Sequence, residues 1–120
     1  MFWTRIDRRL LDDLVIVDVH GRVTLAEQSD PLADTIRDIL ANGTRKILVN
    51  LSNVQFIDSV GIGDIVRGYT AAKREGGMLK LCGVAGRVRA VFDATQLTGV
   101  IELFETEEEA RRSFDRRAGL

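Results

Sequence analysis

A short apolar run followed by helical spacing, across residues 46–69, restricts this chain to folds in which a strand feeds directly into a helix. Lys46-Ile47-Leu48-Val49-Asn50-Leu51 is an apolar run of strand type, and beyond a turn Ile62, Ile65, Val66 and Tyr69 recur at the spacing of one helix face. Between them the stretch VQFIDSVGIGDIVRG puts one hydroxyl, that of Ser59, at or beside the helix start. The first backbone N–H groups of a helix lack partners there and the helix dipole favours negative charge, so a side-chain oxygen or a phosphate is well received. Gly61 and Gly63 remove side chains from the same turn and leave backbone and hydroxyl open to an approaching protein. Two readings of the turn stand side by side at this point: Asp58 or Ser59 as a plain helix cap, and Ser59 as a regulatory hydroxyl.

The rest of the chain alternates strand-like and helix-like segments with no linker, repeat or low-complexity tract. Residues 2–10 and 14–23 are β-type stretches separated by Asp12-Asp13, and Val15, Val17 and Val19 alternate with Ile16, Asp18 and His20, which predicts a hairpin. Asp30-Pro31 supplies an N-cap and a proline at the first helical position. Leu32, Ile36, Ile39 and Leu40 then share one face until Asn42-Gly43 stops the helix. After the strand at 46–51 and a helix over 59–74, ended by Gly76-Gly77, the pattern predicts a strand at 78–82, a short helix at 87–94 and a strand at 100–104. Thr106 and Glu109 have the form of a capping box opening a terminal helix through Ala110 and Phe114. Strands alternating with helices after a hairpin predict an α/β domain over residues 1–120, a mixed sheet of about five strands packed against about four helices.

Composition narrows the function classes. With 120 residues, 45% hydrophobic and 29% charged, the chain suits one globular domain, and 17 basic against 18 acidic residues leave no global charge that calls for nucleic acid. Apolar runs of only a few residues exclude a membrane-spanning helix, and MFWTRIDRR carries charges where a signal peptide needs an apolar region, so cytoplasmic residence is the expectation. The lone Cys82 between Leu81 and Gly83 reads as core filling. His20 is the single histidine, so any His-based triad or metal cluster would have to be built around it, and an exposed or half-buried strand position before Gly21 suits it better. The glycines at 61, 63 and 68 miss the dinucleotide fingerprint and no Gly-Lys-Ser/Thr occurs, so no cofactor is expected. Asp34 and Asp38, and Glu107 to Glu109, read as solvated helix surfaces, while Arg111, Arg112, Arg116 and Arg117 suit a helix C-terminus better than a nucleic-acid patch.

The order strand, Ile57-Asp58-Ser59-Val60-Gly61-Ile62-Gly63, helix, then Gly76-Gly77-Met78-Leu79-Lys80-Leu81, resembles the STAS domain of bacterial anti-sigma-factor antagonists. That family's signature is an Asp-Ser-Ser-Gly-Leu-Gly segment between strand and helix. The resemblance extends over nearly the whole chain: Gly21-Arg22-Val23 is similar to the family's first turn, residues 45–51 to its central strand, and 88–97 with 105–114 to its closing elements. It implies that Ser59 is the serine phosphorylated by a partner kinase that is itself the anti-sigma factor. By the same matching Asp58 is the signature acid, and Gly61 and Gly63 are the signature glycines. Val60 replaces the second serine, and Thr24 stands where many antagonists carry an acidic residue, in a segment slightly longer than usual.

The resemblance implies a non-enzymatic switch that binds an anti-sigma factor of the serine-protein-kinase type when unphosphorylated and is restored by a serine phosphatase. Its partner-binding surface would comprise Thr24, Asp58, Ser59, Val60, Gly61, Gly63 and Arg67. Two other roles fit the residues less directly. One is a STAS-type scaffold subunit of a signalling or lipid-transport assembly; the other is a nucleotide-binding domain with phosphate received by the glycine-rich turn. No direct contact with nucleic acid or membrane is expected, and the sequence leaves the oligomeric state open.

Overall fold

The computed structural model describes residues 4–23 and 31–116. Strand β1 (Thr4–Leu11) turns through Asp12 and Asp13 into β2 (Leu14–Val23), and the two pair antiparallel along the whole length of β1, from Thr4 opposite Gly21 to Leu11 opposite Leu14. Asp12 takes a positive φ of 57°, a conformation that Asp tolerates in a tight hairpin turn. Helix α1 (Pro31–Ala41) leads to β3 (Lys46–Ile57), α2 (Ser59–Arg74), β4 (Met78–Cys82), α3 (Gly86–Ala94), a 3-10 turn (Leu97–Gly99), β5 (Leu103–Phe104) and α4 (Glu107–Arg116). The strands lie in the order β1-β2-β3-β4-β5, antiparallel at the hairpin and parallel from β2 onward. This is the five-stranded mixed sheet with an N-terminal hairpin and four helices that the alternation predicts.

Because strand side chains alternate between faces, one set of residues builds two cores. Val15, Val17 and Val19 of β2, Ile47, Val49 and Leu51 of β3, and Leu79 and Leu81 of β4 pack under α1, α2 and α3, meeting Leu32, Ile36, Ile62, Ile65, Val88 and Phe92. Leu14, Ile16, Leu48 and Cys82 point the other way and meet Ala110 and Phe114 of α4. Burial pushes the Cys82 thiol up to about 12, which suits the packing role expected of it. Helices α1 and α2 approach closely at Gly68, where an added Cβ would stand 2.5 Å from Ile36 Cδ1.

Several boundaries differ from the sequence pattern. The third strand runs six residues past Leu51, to Ile57, because Val54 and Ile57 continue to bury side chains and pair with Gly21 and Val23 of β2, one local register shift preceding the first pair and a second separating the two. The last strand shrinks from 100–104 to Leu103–Phe104: Val100 closes the 3-10 turn and is exposed, and only Ile101 is buried. The third helix starts one residue early, at Gly86. Asp30, Phe2 and the segment 24–30 lie outside the described residues.

Two polar groups, Asp64 and Lys80, are buried. Asp64, 2% exposed on α2, accepts the backbone N–H groups of Leu32 (3.0 Å) and Ala33 (2.8 Å), so one helix caps the N-terminus of its neighbour. Lys80 lies beneath α4, donates to Ser113 Oγ at 2.9 Å and sits 4.7 Å from the Phe114 ring centroid, with Glu102 at 3.5 Å. Glu107, expected in a solvated run, instead joins a cluster: the Arg9 guanidinium spans Asp18 (2.6 Å) and Glu107 (2.6 Å), and Asn50 reaches Glu107 at 3.4 Å. Hydrogen bonds to both carboxylates hold the Arg9 proton more tightly than usual and tie the start of α4 to the hairpin.

Among the described residues no helix is long and apolar enough to cross a membrane. Truncating Ile65, 1% exposed, as Ile65→Ala should lower stability by about 2–5 kcal/mol in urea unfolding, and an unchanged midpoint would contradict the packing of α2. Asp64→Ala strands two buried N–H groups and should cost about 2–4 kcal/mol, whereas Asp64→Asn keeps an acceptor and should lose distinctly less.

Candidate functional site

The turn between β3 and α2 sits at the carboxyl edge of the parallel part of the sheet, where open α/β folds present their binding groups. Ile57 is the last buried residue of β3 and anchors the chain immediately before the turn. Asp58 then adopts extended backbone (φ −117°, ψ −174°), and its carboxylate Oδ1 accepts the N–H groups of Val60 (3.1 Å) and Gly61 (3.0 Å). Its carbonyl receives the first helical hydrogen bond, from Ile62 N–H at 2.9 Å. Of the two capping readings left by the sequence, the structure selects Asp58, and this frees Ser59 from that role.

Ser59 is the first helical residue and is exposed. Val60 beside it is 38% exposed, one of few large apolar side chains on the described surface. Gly61 and Ile62 turn inward, and the next turn brings back Gly63, half-buried, and Arg67, exposed. An added Cβ on Gly63 would meet the Arg67 guanidinium at 3.2 Å. Ser59, Gly63 and Arg67 follow at four-residue intervals, which places them on one stripe of α2. The structure thus brings Asp58, Ser59, Val60, Gly63 and Arg67 to one side of the turn, whereas Gly61, expected on the same surface, is buried against the protein because the helix turns it inward, and Thr24 lies outside the described residues.

His20 is half-buried with Nε2 3.3 Å from Asp7, as its strand position predicts. Among the described residues no group of three or more His, Cys, Asp or Glu side chains could hold a metal ion. A shallow cleft of about 740 Å³ runs along β5 and α4, lined by Leu103, Phe104, Glu105, Glu109, Arg112 and Asp115, none of them from the α2 turn. The helix α3 that neighbours the candidate turn at the sheet's carboxyl edge begins after Ala85, which offers no side-chain cap. Sequence reasoning missed Asp64, because Ile62, Ile65, Val66 and Tyr69 centre the expected apolar face well away from it, whereas the structure turns α2 so that Gly61, Asp64, Ile65, Gly68 and Ala72 are buried and Val66 and Tyr69 are only half-buried.

Comparison with known proteins gives this geometry a family. The STAS domain model matches residues 5–110. The chain is 30% identical over 92 residues to an anti-sigma-B factor antagonist of Bacillus subtilis, an alignment covering 77% of each protein. Among solved structures, an anti-sigma factor antagonist from Mycobacterium paratuberculosis superposes with a TM-score of 0.81 at 21% identity, covering 92% of this chain and 93% of that one. An anti-sigma-factor antagonist (STAS) domain protein from Planctomyces limnophilus gives 0.73 at 23% identity, covering 88% and 92%. At such identities the two structures show a shared fold, and together with the family match over most of its length they establish that this chain belongs to the STAS domain family.

Proposed function

We propose that the protein is an anti-sigma-factor antagonist that works as a phosphorylation-controlled binding switch. In its unmodified form the patch around Ser59 binds an anti-sigma factor that is also a serine kinase, which frees a sigma factor. Phosphorylation of Ser59 ends the contact, and a serine phosphatase restores it. One observation carries the reading: the residue matching the family's phosphoacceptor is exposed at the first position of α2, beside a capping acid and an exposed valine. The kinship with the Bacillus subtilis antagonist supports the choice of partner class.

The physical logic is local. A phosphoryl group adds about −1.5 to −2 charge beside Asp58, and a contact that must desolvate it loses affinity through repulsion and uncompensated burial. The fold tolerates the group, because the charge arrives at the favourable end of a helix dipole and no core side chain is displaced. Competing hydroxyls are less available. Ser113 Oγ is held between Lys80 and the Ala110 carbonyl, and Ser52 Oγ donates to Asn50 Oδ1 at 2.7 Å. Incubation with the cognate kinase and ATP, followed by mass spectrometry, should therefore place phosphate on Ser59; modification mainly of Ser52, Thr70 or Ser113 would defeat the assignment.

Substitutions separate binding from folding. Ser59→Ala should stay folded, bind the anti-sigma partner and escape inactivation, whereas Ser59→Asp puts a carboxylate into the contact and should bind at least about tenfold more weakly, roughly 1.4 kcal/mol, at matched melting temperature. Gly63→Arg should weaken binding by bulk without unfolding the chain, since its Cβ meets only the flexible end of Arg67. Equal binding of Ser59→Asp and the parent protein, read by titration calorimetry, would replace the switch with a constitutive scaffold role.

A further inference from the structure

We propose that Arg67 is the intramolecular receiver of the phosphoryl group on Ser59, so that the modified protein is held in its released form by a clasp built into α2. The proposal rests on the phosphorylation of Ser59 put forward above and adds where the phosphate goes.

Three observations on one helix point to it. Ser59, Gly63 and Arg67 occupy successive turns of a single stripe, and helical side chains lean toward the N-terminus, so Arg67 extends back over the turn that precedes it. The position of its guanidinium bears this out, because the place a Gly63 Cβ would occupy lies 3.2 Å from Nη1 and 3.5 Å from Nη2. Glycine at 63 thus clears the path that the arginine follows. From Gly63 to Ser59 is one further turn, about 6 Å along the axis, and phosphorylation extends the serine side chain by three acceptor oxygens.

The usual receptor for such a group is already engaged. The amides of Val60 and Gly61, which would otherwise greet an anion at the helix start, both donate to Asp58 Oδ1. A phosphate on Ser59 therefore has a like charge as its near neighbour and needs a donor from elsewhere. A guanidinium supplies two parallel N–H groups matched to phosphate oxygens, which a lysine cannot do. Arg67 also engages other groups of the protein, and its shift to a dianionic acceptor exchanges one contact for a stronger one while altering the stripe that the partner meets.

The test uses protein carrying phosphoserine at position 59 installed genetically, so that no kinase is needed. Phosphorus NMR titration reads the second ionisation of the phosphate. A facing guanidinium stabilises the dianion, so the midpoint in the parent protein should lie at least about 0.5 pH unit below that of Arg67→Gln. Arg67→Lys should fall between the two. Gly63→Ala, which places a methyl against the guanidinium, should shift the midpoint toward the Arg67→Gln value. Arg67 is exposed, so Arg67→Gln and Arg67→Lys should keep the parent melting temperature without phosphate, while Gly63→Ala, which replaces a helix-interior glycine, should not lower it. Identical titration midpoints in the parent and Arg67→Gln proteins overturn the clasp. Failure of the switch reading has a different signature: phosphoserine-59 protein that still binds the anti-sigma partner, whatever its phosphate midpoint.

Discussion

Strand β3 is the element on which the placement of every candidate group depends. It is flanked by parallel neighbours on both sides and covered by helices on both faces, with Ile47 and Val49 packed beneath the α1–α2 layer and Leu48 beneath α4. A run that is apolar on both faces does not by itself fix its register, because a one-residue slip would exchange one aliphatic side chain for another. Polar groups along it do: Lys46 pairs with Asp13 of the hairpin turn at 2.8 Å, and Asn50 donates to Glu107 of α4 at 3.4 Å. With register set, Val54 and Ile57 carry the strand to the carboxyl edge of the sheet, and the next residue has to cap a helix.

The architecture was legible because each element carried its own period and punctuation. The hairpin, α1, α2 and β4 follow from alternation, from Asp30-Pro31 and Asn42-Gly43, and from Gly76-Gly77. The capping box also forms in part, with Thr106 Oγ1 accepting the Glu109 N–H at 3.2 Å. Features that depend on distant pairing were not legible. The extension of β3 rests on β2 lying alongside residues 53–57, and β5 is short because only Leu81 and Cys82 offer it a partner. The burial of Asp64 and Lys80 and the pairing of Glu107 with Arg9 likewise need a second element to supply the satisfying groups, and local sequence holds no trace of that element. For the candidate patch, the turn and its residue types were readable from one segment. The division of labour between Asp58 as cap and Ser59 as exposed hydroxyl was not, since both residue types serve as caps.

That division has an electrostatic consequence. The capping carboxylate already complements the positive end of the α2 dipole, so a second negative charge gains less from the dipole than it would at an empty helix start and meets repulsion at once. A partner surface suited to an uncharged Ser59 and an exposed Val60 would have no means of neutralising the addition. Under the proposed switch a small group would change affinity without rearranging the backbone, and Asp58 would amplify the change.

Helix α2 keeps any charge added at Ser59 away from the core by geometry. Ile62, Ile65 and Ala72 form its buried face with Asp64 and Gly68, and these carry the contacts to the sheet and to α1. Ser59 and Arg67 lie on the exposed side, so charge and contact can vary there while the packing that sets stability does not. The two sides still share one rigid rod. Asp64 fastens α1 to α2 through two backbone N–H groups, which holds the first turn of α1 at a fixed position relative to the turn bearing Ser59. A buried carboxylate in that place costs desolvation that an aliphatic side chain would avoid, but an aliphatic residue would leave the first N–H groups of α1 unmet inside the protein. The balance favours the acid because it serves another helix's backbone, and the patch around Ser59 inherits a defined shape from it.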